Sequence, residues 1–292
     1  MKIIFSRKGF DAKNGGVASP IFDDDRICSL PIPNRTSNVR YKDLKFGRMN
    51  LGCIVDDLTR KRAQHYTGND HALLGPDLRK DASTRRPGWS PSFEQVNTSR
   101  ILLEKYGIGK GDIFLFFGWF RGVEEAEGQL RFVRGAPDVH LLWGWLQVGE
   151  VYQECSQRSR LPRSASFYPL RYEEDDWRAD EENYDTLYVA RRHLRLPGMR
   201  SPLPGGGTFR NYHTQLQLTE PGKTRSIWRL PAWMYPFPNK PPLTYHEKKS
   251  RWRKDGRGTI LKTVGIGQEF VLDADYYPQA YQWLAELFRG AA

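Results

Sequence analysis

Residues 111–152, GDIFLFFGWFRGVEEAEGQLRFVRGAPDVHLLWGWLQVGEVY, decide the architecture. The run Ile113–Phe120 is too apolar for a strand with one wet face. It reads as a core strand covered on both sides. Leu130–Val133 is a short return strand, and Val139–Tyr152 a long one. Gly144 and Gly149, inside that long run, mark bends or bulges of a coiled sheet or barrel.

Working outward, Lys2–Phe5 reads as a strand. Ile21-Phe22, the Asp23-Asp24-Asp25 turn and Ile27–Leu30 form a hairpin signal closed by Pro31 and Pro33. Helical spacing predicts a helix over 52–62, with Ile54, Val55 and Leu58 inward. A second helix is predicted from Ser90-Pro91, an N-cap followed by Pro, to Tyr106. Its buried side is Phe93, Val96, Leu102, Leu103 and Tyr106, and Gly107 and Gly109 end it. Thr186–Ala190 is a strand, and 213–218 alternates like one. Residues 153–183 and 197–207 read as loops. The end, 276–289, is an amphipathic helix with Tyr281, Leu284, Leu287 and Phe288 inward. No repeat or linker breaks the pattern. The expectation is one α+β domain over 1–292, with 111–152 as the β core of a mainly antiparallel, barrel-like sheet flanked by helices.

Composition narrows the function classes. The chain of 292 residues is 39% hydrophobic and 13% aromatic, far too apolar for a disordered segment. No stretch reaches the roughly 20 apolar residues of a membrane helix. Ile3-Ile4-Phe5 is too short for a secretory signal, which needs about 7–15 apolar residues, so a cytoplasmic protein without a membrane partner is expected. Cys28, Cys53 and Cys155 are odd in number and widely spaced, which excludes a disulfide framework or a CxxC metal pattern. The charge of +11 points to an acidic partner such as a nucleic acid (DNA among them), a nucleotide or an anionic surface, or serves only solubility. Signatures of dinucleotide binding, P-loops, HExxH metallohydrolases, nucleophile-elbow hydrolases and zinc deaminases are absent, and no cofactor is named by any motif.

The candidate site residues lie where strands end. Ser6-Arg7-Lys8-Gly9-Phe10-Asp11 places a hydroxyl, two cations and a carboxylate beside glycines. Arg7 as a fork and Lys8 as a point charge suit phosphate, with Ser6 beside them. Asp11 can hold a sugar hydroxyl, orient a cation or act as a base. The alternative is an ordinary basic turn in which Asp11 pairs Arg7. His71, Asp77 and Arg79 offer an imidazole, a carboxylate and a guanidinium within nine residues, a set fit for acid–base work or for capping a turn. Trp119 can stack on a base, and Arg121 can contact its edge or a phosphate. Strand parity, if no bulge intervenes, puts Trp143, Trp145 and Gln147 on one face and His140 on the other. Gln147 is then a base-edge reader or a satisfied core amide. Arg192 and His193 follow a strand and add phosphate-binding capacity. The group Arg210–His213 is similar.

These motifs resemble the nucleotide modification-associated domain 3 family, described as DNA base hypermodification proteins. The resemblance is carried by SRKGFD at 6–11 with Gly15-Gly16, SLPIP at 29–33, GPDLR at 75–79 and GDIFLFFGWFR at 111–121. HLLWGWLQVGE at 140–150 and TLYVARRHLRL at 186–196 add to it. It implies a protein that binds a nucleotide or flipped DNA base and helps install or transfer a modification, beside other base-modification proteins. Asp11, His71 or Asp77 would then move protons. A non-catalytic reader of modified bases, and a transferase or glycosidase acting on free nucleotides, stay open. Separately, 111–152 is similar to the barrel core of PUA-like and ASCH-like domains, which grip a nucleobase.

Overall fold

The computed structural model describes residues 1–35, 37–85, 87–153, 186–265 and 267–290. Cys155 and the predicted loop at 154–183 lie outside the described residues. The main sheet contains β1 (Lys2–Arg7), β2 (Ser19–Ile21), β3 (Ser92–Gln95), β4 (Ile113–Ala126), β5 (Gln129–Phe132), β6 (Val139–Gln153), β7 (Thr186–Ala190), β8 (Gly206–Thr208) and β12 (Glu269–Asp273). Its path is β12-β1-β4-β6-β7-β3. β2 and β5 also pair β4, and β8 pairs β6. β1 and β2 run parallel to β4, and the other pairings are antiparallel. A second antiparallel sheet joins β9 (Ile227–Leu230), β10 (Trp252–Asp255) and β11 (Gly258–Lys262) in the order β9-β11-β10. The helices are α1 (Leu51–Thr59), α2 (Asn97–Lys105) and α3 (Gln279–Arg289). The protein is therefore α+β with a large, mostly antiparallel sheet. The end strands β12 and β3 are not paired with each other, so the sheet stays open.

β4 is covered on both faces, as its composition requires. Phe114 and Phe116 meet Phe93 on one side, and Phe117 meets Trp228 and Phe270 on the other. The glycines of β6 mark two bulges. The register jumps between Phe116–Gly144 and Phe117–Leu142, leaving Trp143 as the extra residue, and again at Gly149. The first bulge inverts side-chain parity. Trp143 packs on Phe116, while His140 sits against Phe117, on the face shared by Trp145 and Gln147. The regular alternation expected from sequence fails at that one residue.

The helix predicted from Ser90 begins only at Asn97. Residues 92–95 form β3 instead, because β7 captures their backbone along Ser92–Val189 to Gln95–Thr186. The spacing of Phe93 and Val96 mimics a helix, but tertiary pairing overrides it. α2 buries Leu103, whereas Tyr106 lies past its end and is exposed. The alternating stretch 213–218 forms a 3-10 turn at Thr214–Leu216, not a strand. α1 is capped by Asn50, whose side chain accepts the Gly52 N–H at 2.8 Å. It packs Ile54, Val55 and Leu58 into a cluster with Phe10, Leu30 and Tyr41, beside the larger core built on β4 and β6.

Candidate functional site

The site forms where the open sheet nearly meets itself. β1 delivers Ser6 and Lys8 to one face. Glu269 opens β12 directly opposite Ser6, and β3 brings Phe93 and Gln95 from the far edge. Lys8 Nζ lies 3.0 Å from Glu269 Oε1 and donates at 3.2 Å to Gln268 Oε1. Gln95 Nε2 donates to the same Glu269 oxygen, so a side-chain latch bridges the two edge strands that no ladder joins. The Lys8 ammonium also stands 4.9 Å from the centre of the Phe93 ring.

Glu269 has no exposed surface, and Lys8 is 10% exposed. Burying such a pair removes both ions from water and is weak evidence for stability by itself. Among the described residues, one carboxylate oxygen, Glu269 Oε2, and the buried Ser6 hydroxyl have no hydrogen-bond partner. Unmatched buried polar atoms are rare and mark places where a ligand or strain is expected.

Above the latch opens a pocket of about 170 Å³, lined by Arg7, Lys8, Asp11, Asn14, Phe93 and Gln95 among others. Arg7 donates through Nη2 to the carbonyls of Gly265 and Gly267, which fixes the loop leading to Gln268. Burial pulls its guanidinium below the ordinary value, with Asp11 acting in the opposite sense. Asp11 Oδ1 accepts the N–H groups of Lys13 at 2.7 Å and Asn14 at 2.8 Å, forming a tight acidic turn. Gly15 must be glycine there. Its φ is +92°, and a Cβ would run into the Phe10 ring.

Of the residues singled out from sequence, Arg7, Lys8 and Asp11 come together at this pocket, while Ser6 is buried opposite Glu269 and does not line it. Asp77 and Arg79 line a smaller chamber next to it, separated by Gly9 and Gly75. Asp77 is buried and receives both guanidinium nitrogens of Arg85 and the Trp89 N–H at 3.1 Å. Burial pushes its carboxyl up, against the pull of Arg85. Arg79 binds Asp81 and the Lys45 carbonyl.

The remaining candidates line neither hollow. His71 Nδ1 faces the Ser37 carbonyl. Trp119 Nε1 donates to Asp138 at 2.8 Å, with the Arg225 guanidinium 3.9 Å from its ring centre. Arg121 donates to the Val133 carbonyl at 3.1 Å. Gln147 is buried, and its amide meets the backbone of Gly111 and Arg195 in three hydrogen bonds. Arg192 and His193 occupy an exposed bend.

Glu269, Gln95 and Gln268 escaped sequence reasoning. The available signal was an acid heading the short apolar run Phe270-Val271-Leu272, which a buried strand tolerates only if the acid is paired.

The chain belongs to the nucleotide modification associated domain 3 family, whose model matches residues 2–273. Membership ties it to nucleotide modification. No curated protein and no solved structure matches it. Among the described residues, no helix is long and apolar enough to cross a membrane.

Proposed function

We propose that the protein binds a nucleotide, either free or flipped out of DNA, in the seam pocket and takes part in modifying its base. The observation that carries this reading is the buried Lys8–Glu269–Gln95 latch at the pocket wall, with one carboxylate oxygen still unmatched. In this reading Lys8 is the cation that meets a phosphate, able to exchange Glu269 for it. Phe93 gives the base or sugar an apolar wall. Arg7 holds the loop that presents Gln268, and so acts on the ligand through that loop. Asp11 serves a sugar hydroxyl or a proton transfer from the pocket rim.

A non-catalytic reader is the second reading. It is favoured by Asp11 being engaged by its own turn, which leaves the rim carboxylate less available for proton transfer.

The test is calorimetric titration of nucleoside monophosphates into wild type and Lys8→Gln, with thermal melting to establish folding. Loss of binding in a folded Lys8→Gln chain supports the assignment, and unchanged affinity refutes it. Nucleoside mass spectrometry of DNA from cells with and without the gene and its neighbours separates the two readings. A modifier changes the nucleoside masses, and a reader leaves them as they were.

A further inference from the structure

Two further hollows adjoin the seam pocket in series through shared lining residues. The first is the chamber of about 50 Å³ that shares Gly9 and Gly75 with the pocket. Trp143 lines it at 7% exposure, and its indole N–H has no acceptor among the described residues. A buried donor left unmatched is costly. The second is a trough of about 840 Å³ that shares Leu78, Arg79 and Thr208 with the chamber.

The trough combines flat rings with mixed charge: Asp24 and Asp81 line it and pair with Arg26 and Arg79, so its excess positive charge comes from Lys80 and Arg210. The ring of Phe46 has the Arg79 guanidinium 4.8 Å from its centre and that of Arg26 at 5.6 Å, and the Trp89 ring has Arg85 at 4.5 Å. Lys80 and Arg210 stand exposed on its rim, and no ion pair joins either to a carboxylate among the described residues. Phe46 is stacked on Phe22, and its ring and that of Trp89 carry guanidinium groups, so these guanidinium–ring pairs give the planar surfaces for base stacking while rim cations track a phosphate backbone. Together these are the physical elements that hold an unpaired strand.

Resting on the reading of the seam pocket, we infer that its ligand is one residue of a single-stranded nucleic acid whose neighbours lie through the chamber and along the trough. A mononucleotide would occupy the pocket alone and leave the trough unused. A duplex would hide its base faces from those rings.

The experiment measures binding of the full chain to a labelled single-stranded DNA of about ten nucleotides, to the same sequence as a duplex, and to a nucleoside monophosphate. Wild type is compared with the Lys80→Glu, Arg210→Glu double variant across a salt series. Both positions are exposed, and melting curves establish folding. The single strand is expected to bind at least about tenfold more tightly than the monophosphate. The double variant should lose on the order of tenfold for the strand, with a log–log salt slope shallower by roughly 0.7 per lost contact, and keep its monophosphate affinity. Unchanged strand affinity in the variant, or preference for the duplex, overturns the inference. A strand that binds no more tightly than a still-bound monophosphate also overturns it but leaves the seam-pocket reading standing. Absence of binding to all three ligands overturns both.

Discussion

Replacing Lys8 by Met tests the latch directly. The substitution keeps the length of the stem over Phe93 and removes the ammonium, so Glu269 is left without its cation at a position with no exposed surface. Removing one partner of a buried pair costs about 3–5 kcal/mol, because the remaining charge is uncompensated. For a chain this long, that lowers Tm by roughly 6–10 °C. Gln95 remains as a donor to Glu269 and softens the loss, which places the expected value toward the lower end. Glu269→Gln leaves the ammonium at the pocket, where water reaches it, and costs less. The double variant, Lys8→Met with Glu269→Gln, carries no charge at the seam and should be more stable than Lys8→Met alone. Urea unfolding of the four proteins closes the cycle and gives a coupling energy. A Lys8→Met chain within about 0.5 kcal/mol of wild type, or a double variant no better than that single, would falsify the placement of Glu269 as a buried, charge-paired group.

Further outcomes follow from particular residues. His140 is buried, its imidazole is pushed down to about 3, and it accepts the Trp228 N–H at 3.0 Å. An unfolded imidazole takes up a proton below about 6.5, while the folded one stays neutral until about 3. Stability should therefore fall as pH drops through that window, by at most about 1.4 kcal/mol per pH unit. Urea midpoints of His140→Gln should vary less with pH there, and identical profiles would remove His140 from the account. Gly15→Ala should cost more than Gly16→Ala. Both have positive φ, but only the first drives a methyl group into Phe10; equal melting temperatures would contradict the turn geometry. Under native conditions iodoacetamide should label exposed Cys53 and spare Cys28, whose thiol is buried and pushed up to about 12. Peptide mapping that finds Cys28 alkylated as fast as Cys53 would contradict the burial.

The parts of this fold legible in sequence are those written in local pattern. Ile113–Phe120 shows a two-sided core strand because every side chain but Gly118 is large and apolar, and Gly144 and Gly149 locate the bulged stretch of β6. The SRKGFD turn reveals itself by chemistry that no core could hold unpaired. What stayed hidden depends on partners distant in sequence. Residues 92–95 have helical spacing and become β3 only because β7 is there to pair with them. The bulge at Trp143 is visible as a glycine-rich irregularity, but its effect on parity needs the register against β4. Glu269 is an acid in a short apolar run until Lys8 and Gln95 stand beside it. Gln147 is as polar as any base-reading residue, yet three backbone groups meet its amide. Side-chain identity suggests a role, and the positions of neighbours decide it.

The pairing of the first strand with the last has a consequence for biosynthesis. Lys8 and Glu269 are 261 residues apart, and β1 needs both β4 and β12 beside it. A chain emerging from the ribosome holds β1 without one of its neighbours until the 261 residues that separate Lys8 from Glu269 have been made, its lysine uncompensated and an edge of Ile3-Ile4-Phe5 unpaired. Such non-local closure is slow to form. Truncations that stop before Glu269 should then yield aggregation-prone chains with no pocket, so ligand binding would report that synthesis of the sheet has been completed.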